Sequence, residues 1–351
     1  MLPAPALSPV FANAALLDDA PRGAFSPWRL SVAPMMDWTD RHCRYFHRLL
    51  SRHALLYTEM VTTGALLHGD VPRHLDFDAR EHPVALQLGG SEADALAQCA
   101  RLGERWGYRE INLNCGCPSE RVQHGAFGAC LMAEPHLVAD GVKAMVDAVS
   151  IPVTVKHRIG IDKQESYAFV RDFVGTVSEA GCNTFIVHAR AAWLQGLSPK
   201  ENRDVPPLRY ALVEALKRDF PHLSIVINGG FKTDADVSAQ LAHLDGVMIG
   251  REAYYNPWWL AGWDEIYFGA AARVISRGSI EAQMVDYMEA AAAARGTPWP
   301  SIARHMLGLR HGQPGARVWR QVWSDHRLKA LPAREVWRLA NGHLLAAACT
   351  V

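Results

Sequence analysis

The sequence predicts an α/β fold, a (β/α)8 TIM barrel followed by a C-terminal all-helical domain. Three observations predict it. Eight short apolar or β-branched runs recur between Leu30 and Ile249; stretches with apolar residues at helical spacing lie between them; and no such run follows Trp263. Strands that alternate with helices build a parallel sheet covered by those helices, and eight alternations over about 230 residues suit a closed barrel better than a doubly wound sheet.

In order, the strand candidates are Leu30–Ala33, Leu55–Glu59, Val84–Leu88, Glu110–Leu113, Val153–Lys156, Thr184–His188, Ser224–Ile227 and Gly246–Ile249. The alternation of Ile111 and Leu113 with Asn112 and Asn114 reads as a half-buried strand. Ser91–Trp106, Pro135–Val149, Glu165–Glu179, Pro207–Arg218 and Thr233–Leu241 are the intervening helices, several behind a Ser, Thr or Asp able to cap them. Beyond the strands, Ile280–Ala294, Ser301–Leu309, Arg317–Asp325 and Arg334–Ala347 are helical in pattern, with breaks at Gly296–Pro300 and Gly312–Gly315. The expected organisation is a loose tail over 1–27, a barrel over 28–265 and a helical domain over 266–351. The tail is rich in Ala and Pro and lacks a basic n-region, so it makes a poor signal peptide.

Apolar residues make up 49% of the 351-residue chain and charged residues 21%, an ordinary balance for a soluble globular protein. No apolar run reaches the ~18–20 residues needed to span a bilayer. Seven scattered cysteines fit a reducing compartment, with the cytoplasm as the default. Net charge is zero but unevenly placed. From Ser301 to Arg338 eight basic residues face two acidic ones, a local +6, and the remaining 28 basic and 34 acidic residues carry −6. Such asymmetry is expected of a surface that meets a polyanion, although a solvated helical face gives the same count.

The ends of the strand candidates carry polar and glycine residues: Ala33-Pro-Met-Met-Asp37, Gln87-Leu-Gly-Gly90, Asn114-Cys-Gly-Cys-Pro118, Lys156-His-Arg158, His188-Ala-Arg190, Asn228-Gly-Gly230 and Gly250-Arg251. In barrels of this class, loops after the seventh and eighth strands often bind phosphate. Gly229, Gly230 and Gly250 offer bare backbone N–H groups, and Arg251 a guanidinium. One phosphate site without a Walker or G-x-G-x-x-G pattern points to a mononucleotide such as FMN. Lys156 would then stand near the isoalloxazine, His188 could donate to its pyrimidine edge, and Gln87 has an amide for a flavin carbonyl or N3–H.

Asn114-Cys-Gly-Cys-Pro118 leaves its cysteines four roles: ligands, a disulfide, a catalytic acid, or filler. Two cysteines without a second Cys or His pair are too few for zinc, and a Cys115–Cys117 disulfide would be strained. A protonated thiol at a barrel mouth can act as a general acid, whereas Cys115 also reads as a small buried apolar residue.

Ala33-Pro-Met-Met-Asp-Trp-Thr-Asp40, Tyr57-Thr-Glu-Met60, His82-Pro-Val-Ala-Leu-Gln-Leu-Gly-Gly90, Asn114 to Ser119, Lys156 to Gly160, Asn228-Gly-Gly230 and Gly250-Arg-Glu-Ala253 together resemble the flavin-dependent tRNA-dihydrouridine synthases. Cys43-Arg-Tyr-Phe46, Gly196 to Arg203, Gly246-Val-Met-Ile-Gly250 and Arg304-His-Met-Leu-Gly308 are similar to its DusA subfamily, and the resemblance runs from Leu30 to about Arg320. It implies FMN bound by Pro34, Met35, Met36, Gln87, Lys156, His188, Asn228, Gly229, Gly230, Gly250 and Arg251, with NADPH as reductant. It implies that Cys117 protonates C5 of a uracil while hydride reaches C6, at U20 and U20a of the tRNA D-loop. Asn114, Lys200, Arg203, Arg317 and Arg320 are the implied tRNA contacts, and no membrane, metal or obligate protein partner is expected.

Cys115 departs from the family's usual Val, which favours the inert reading, and His157 stands where a hydroxyl residue is expected. Arg317 and Arg320 share a helical face, joined by Arg327 if the helix continues, while Trp319 and Trp323 anchor the helix to its bundle. Two other functions fit parts of the pattern. One is a flavin barrel reducing a free pyrimidine or small enone, and the other is a non-catalytic tRNA-binding protein.

Overall fold

The computed structural model describes residues 25–119 and 127–348, with side chains through Gly342. Residues 1–24 of the expected tail lie outside the described residues. Eight parallel strands pair each with the next: β1 (Leu30–Val32), β2 (Leu55–Tyr57), β3 (Val84–Gly89), β4 (Glu110–Cys115), β5 (Val153–Arg158), β6 (Thr184–His188), β7 (Ser224–Asn228) and β8 (Gly246–Ile249). Pairing of β8 with β1, Leu30 opposite Val247, closes the barrel. A two-residue strand, Val61–Thr62, adds beside the end of β3. All eight strands stand where the sequence predicts them, and β3, β4, β5 and β7 run one or two residues further toward the candidate site residues.

Helices Ala93–Arg105, Pro135–Ala148, Tyr167–Glu179, Tyr210–Asp219 and Asp234–Leu241 fill the intervals. Ser166 accepts from the amide of Phe169, and Thr233 forms a capping box with Asp236, so each helix start finds partners for orphan N–H groups. Val170, Phe173, Val174 and Val177 then bury one face of the third helix, the spacing of an amphipathic element.

Alternation along the strands divides residues between barrel interior and helix layer. Ala33, Leu55, Tyr57, Ala85, Ile186, Val226 and Met248 form an apolar cluster. Glu110, Asn112, Gln87 and Thr154 are equally buried. The expectation of a half-buried strand at Glu110–Leu113 is therefore corrected: every residue of β4 is buried. The polar side of its alternation faces other strands' polar side chains rather than water.

The described chain forms two compact units. One runs to Arg41 and resumes from Ala54 to Gly250; the other joins His42–His53 to everything from Arg251 onward. In the second unit Asp264 accepts from Ser51 Oγ (2.6 Å), the Arg52 amide (2.8 Å) and the His53 amide (3.2 Å). Tyr45 stacks on Tyr287 with ring centroids 3.9 Å apart. Glu281, on helix Arg277–Arg295, accepts from Trp319 Nε1 (2.6 Å), Trp323 Nε1 (3.0 Å) and Arg310 Nη2 (2.7 Å). These tryptophans are core anchors, as their spacing implies.

Two helical expectations change. Over Ser301–Leu309 the helix covers only Trp299–Ala303, and turns follow, with Gly308 against the Tyr255 carbonyl where a Cβ would come within 2.5 Å. Helix Ala316–Trp323 ends before Arg327, whose guanidinium pairs with Asp325 at 2.7 Å and so does not extend the Arg317–Arg320 face. No helix among the described residues is long and apolar enough to cross a membrane.

Candidate active site

Register sets the candidate residues side by side at the C-terminal ends of the strands. Gln87 lies opposite Asn112, Asn114 opposite Lys156, Arg158 opposite His188, and His188 opposite Asn228. The loop after β4 is shaped by Asn114, whose Oδ1 accepts from the amides of Gly116 (3.1 Å) and Cys117 (3.0 Å) while its Nδ2 donates to Gln87 Oε1 at 2.9 Å. This Asx-type turn delivers Cys117 half-buried, its thiol 3.5 Å from Ser119 Oγ. Cys115, two residues earlier, is fully buried, and burial pushes its thiol far up. Both thiols are free. The rest of this loop, residues 120–126, lies outside the described residues.

Lys156 donates to Asn228 Oδ1 at 3.2 Å, and Asn228 Nδ2 donates to the Met248 carbonyl at 2.8 Å. Burial, and then the neighbouring Arg158 guanidinium, bring the Lys156 ammonium from its ordinary 10.5 down to about 7. A negative charge on Cys117 would oppose that shift. His188 is held neutral, well below its ordinary range, by burial and by Arg158 and Lys156. A neutral imidazole keeps one N–H to donate and one nitrogen to accept.

Gly229 and Gly230 follow β7 with φ of 125° and 84°, in the left-handed region that favours glycine. A Cβ on Gly229 would come within 2.9 Å of both His188 and Leu208, and one on Gly230 within 2.5 Å of Leu208. Tyr210 holds this turn by donating its hydroxyl to the Gly229 carbonyl at 2.6 Å. Gly250 follows β8 beside Ala33, and next to Ala33 in the chain come the half-buried Pro34 and Met35 and the exposed Met36. Arg251 opens the short helix Arg251–Tyr255 of the second unit.

Arg158 has a part the sequence gives no reason to expect. Its buried guanidinium donates to the carbonyls of Gly116 (3.1 Å), Ala191 (3.1 Å) and Asn202 (2.8 Å), tying the loops after β4 and β6 together. Buried Asn202 in turn bonds the backbone of Trp193 at N (2.7 Å) and O (2.8 Å), which shapes the loop that exposes Lys200 and Arg203. A run of arginines among strand ends signals anion binding; only the folded loops show that this one is spent on carbonyls. His157 lies on the other side of β5, fully buried between Phe173 and Phe185 with Nδ1 on the Arg158 carbonyl (2.7 Å), so its departure from the expected hydroxyl does not face the mouth. In the second unit, Arg317 and Arg320 are both exposed on helix Ala316–Trp323, opposite the buried Trp319 and Trp323.

Comparisons with known proteins bear on the fold and the family. Among solved structures, a 2-naphthoyl-CoA reductase bound to 2-naphthoyl-CoA matches 68% of this chain and 50% of its own at TM-score 0.53 and 11% identity, which speaks for the fold alone. The tRNA-dihydrouridine(20/20a) synthase of Pseudomonas syringae pv. tomato is 64% identical over 296 residues, 84% of this chain and 88% of the relative. That of Escherichia coli K12 is 60% identical over 303 residues, covering 86% and 87%. The model of the dihydrouridine synthase family matches residues 31–339, from within β1 to within the last helix, Ala333–Ala348. Identity of that depth across both units leaves one assignment: the chain belongs to the dihydrouridine synthase family.

Proposed function

We propose that this protein is an FMN-dependent, NADPH-driven reductase of uridine in the tRNA D-loop, forming 5,6-dihydrouridine at U20 and U20a. The observation that carries the reading is the convergence, at one end of a parallel barrel, of a half-buried thiol, a cation and a glycine turn, in a chain whose relatives bear the names given above. The residues suit a flavin mononucleotide. Gly229 and Gly230 form a cradle that any Cβ would fill; their N–H groups and that of Gly250 are the proposed phosphate contacts, and Arg251 is the proposed cation. Lys156 supplies positive charge beside Asn228, and Pro34, Met35, Met36, Gln87 and His188 are the proposed contacts for the ring system.

When bound, the flavin supplies the hydride, received from NADPH, that adds to C6 of the uracil. The chain's own residues do the rest. Cys117 gives its thiol proton to C5, so hydride and proton together saturate the double bond. Lys156 holds charge against the electron-rich cofactor, and Arg158 fixes the loops that carry Cys117 and Lys200 relative to each other. Asn114, Lys200, Arg203, Arg317 and Arg320 are the proposed RNA contacts; the last four are exposed cations suited to phosphate, which positions a substrate without reading its sequence. The uracil must leave its stack to reach a thiol at the barrel mouth. We assign the reaction to the cytoplasm, whose reducing conditions keep thiols such as Cys117 free.

The test is to treat unmodified tRNA with purified protein, FMN and NADPH and to map dihydrouridine. Product at U20 and U20a supports the reading. NADPH oxidation with free uracil or uridine, and none with tRNA, would overturn it.

A further inference from the structure

Glu110 begins β4, at the opposite end of the strand from the Cys117 loop, which follows Cys115 about 17 Å away at about 3.3 Å per residue. Its carboxylate is buried and accepts from Thr154 Oγ1 (2.5 Å), Tyr57 Oη (2.8 Å) and Trp28 Nε1 (2.6 Å), all uncharged donors. A buried carboxylate without a cation is costly unless its hydrogen bonds are complete. The barrel function described above gives it no role.

From Glu110 a continuous chain of side chains climbs the barrel interior. Thr154 Oγ1 accepts from Asn112 Nδ2 (2.7 Å), Asn112 Oδ1 from Gln87 Nε2 (2.8 Å), and Gln87 Oε1 from Asn114 Nδ2 (2.9 Å). Asn114 Oδ1 accepts from the Gly116 and Cys117 amides. Every donor points toward Glu110. Backbone N–H groups can only donate, so the upper end alone fixes the direction and gives each amide below it one orientation. Burial raises the Glu110 carboxyl from its ordinary 4.5 to about 7, and the oxygen facing Thr154 accepts at the lower end. Bonds aligned in this way polarise one another. Neutral amides do not relay protons, so the chain orients rather than conducts.

We propose that Glu110 and Thr154 are positioning residues, which act through Asn112 to fix the Gln87 and Asn114 amides at the barrel mouth and to hold the Cys117 loop. The proposal rests on the flavin reading of the barrel mouth. Thr154 is the link to cut, because Thr154→Val keeps its shape and removes only the hydroxyl. Tyr57 is the control: Tyr57→Phe removes a bond to the same carboxylate oxygen but lies off the chain.

The experiment compares the full-length wild type, Thr154→Val, Thr154→Ser and Tyr57→Phe. It measures melting temperature, FMN dissociation constant by fluorescence quenching, and the rate at which iodoacetamide alkylates Cys117, read by peptide mapping. Thr154→Val is expected to weaken FMN binding about tenfold and to speed Cys117 alkylation, the scale of one buried hydrogen bond. Thr154→Ser restores both, and Tyr57→Phe lowers melting temperature without moving either. The proposal is overturned if Thr154→Val equals the wild type in both readouts, or if Tyr57→Phe shifts them as far. Should Thr154→Val not fold, Asn112→Leu breaks the chain one step higher and is judged against Tyr57→Phe in the same way. Failure of the wild type to bind FMN would instead sink the proposed function, and the alkylation contrast would still decide the chain.

Discussion

Lys156 offers a sharp test of the barrel mouth because its proton is poised. Burial and Arg158 bring its ammonium to about 7, so in the flavin-free protein at pH 8 only about one molecule in ten carries the charge. A bound FMN, whose phosphate and ring both favour a nearby cation, restores the proton. Below about pH 7 Lys156 is already charged and binding is insensitive to pH; above it, binding must take up a proton, and the FMN dissociation constant rises by up to about tenfold per pH unit. Arg158, lowered only to about 10, and His188, held neutral, do not titrate across this window. The assay is FMN fluorescence quenching from about pH 6.5 to pH 9, in the wild type and Lys156→Gln, each repeated with Cys117→Ala to remove the neighbouring thiol. Lys156→Gln should bind at every pH about as weakly as the wild type does at high pH, with a flat profile. A flat wild-type profile, or a slope that survives Lys156→Gln, would refute the reasoning. The same depressed value makes the flavin-free fold lose stability as pH falls from about 10.5 toward about 7, since unfolding lets Lys156 take its proton.

Three further outcomes are expected. Cys117→Ala should bind FMN and tRNA as the wild type does but lose at least about a hundredfold in dihydrouridine formation, the scale of a lost general acid; unchanged turnover would remove the thiol from the mechanism. Arg317→Ala with Arg320→Ala should weaken tRNA binding and lower the slope of log affinity against log salt by roughly 0.7–0.9 per lost phosphate contact, while NADPH still reduces the flavin. Glu281→Ala strands Arg310 and two indole N–H groups in the helical unit, and urea unfolding should show a loss of about 3–5 kcal/mol. A loss below about 1 kcal/mol would mean that this carboxylate is dispensable.

Most of the barrel was legible because strands such as Thr184–His188 and Gly246–Ile249 are continuous apolar runs, as strands buried on both faces should be. The strand at Glu110 was legible in position but not in environment. Alternating polar residues ordinarily mean one wet face, and only a closed barrel gives Asn112 and Glu110 partners on neighbouring strands instead. Helix Arg41–Leu50 was not among the expected elements, although Cys43, Phe46 and Leu50 stand on it at helical spacing; Arg44, His47 and Arg48 are buried beside them and dilute the apolar signal. The glycine turn and Lys156 followed from strand ends alone. The carbonyl clamp made by Arg158 did not, since its three acceptors are backbone groups of loops distant in sequence, about which side-chain patterns are silent.

The excursion His42–His53 carries a consequence for how the molecule is made. Its anchor Asp264 follows His53 by 211 residues. At a synthesis rate of about 5–20 residues per second, the excursion waits some 10–40 s for that carboxylate to emerge. During that interval the amides of Arg52 and His53 and the ring of Tyr45 lack their final partners, while nearly the whole barrel is translated behind them. The nascent chain must therefore hold one stretch in reserve, and truncation anywhere before Asp264 strands it for good.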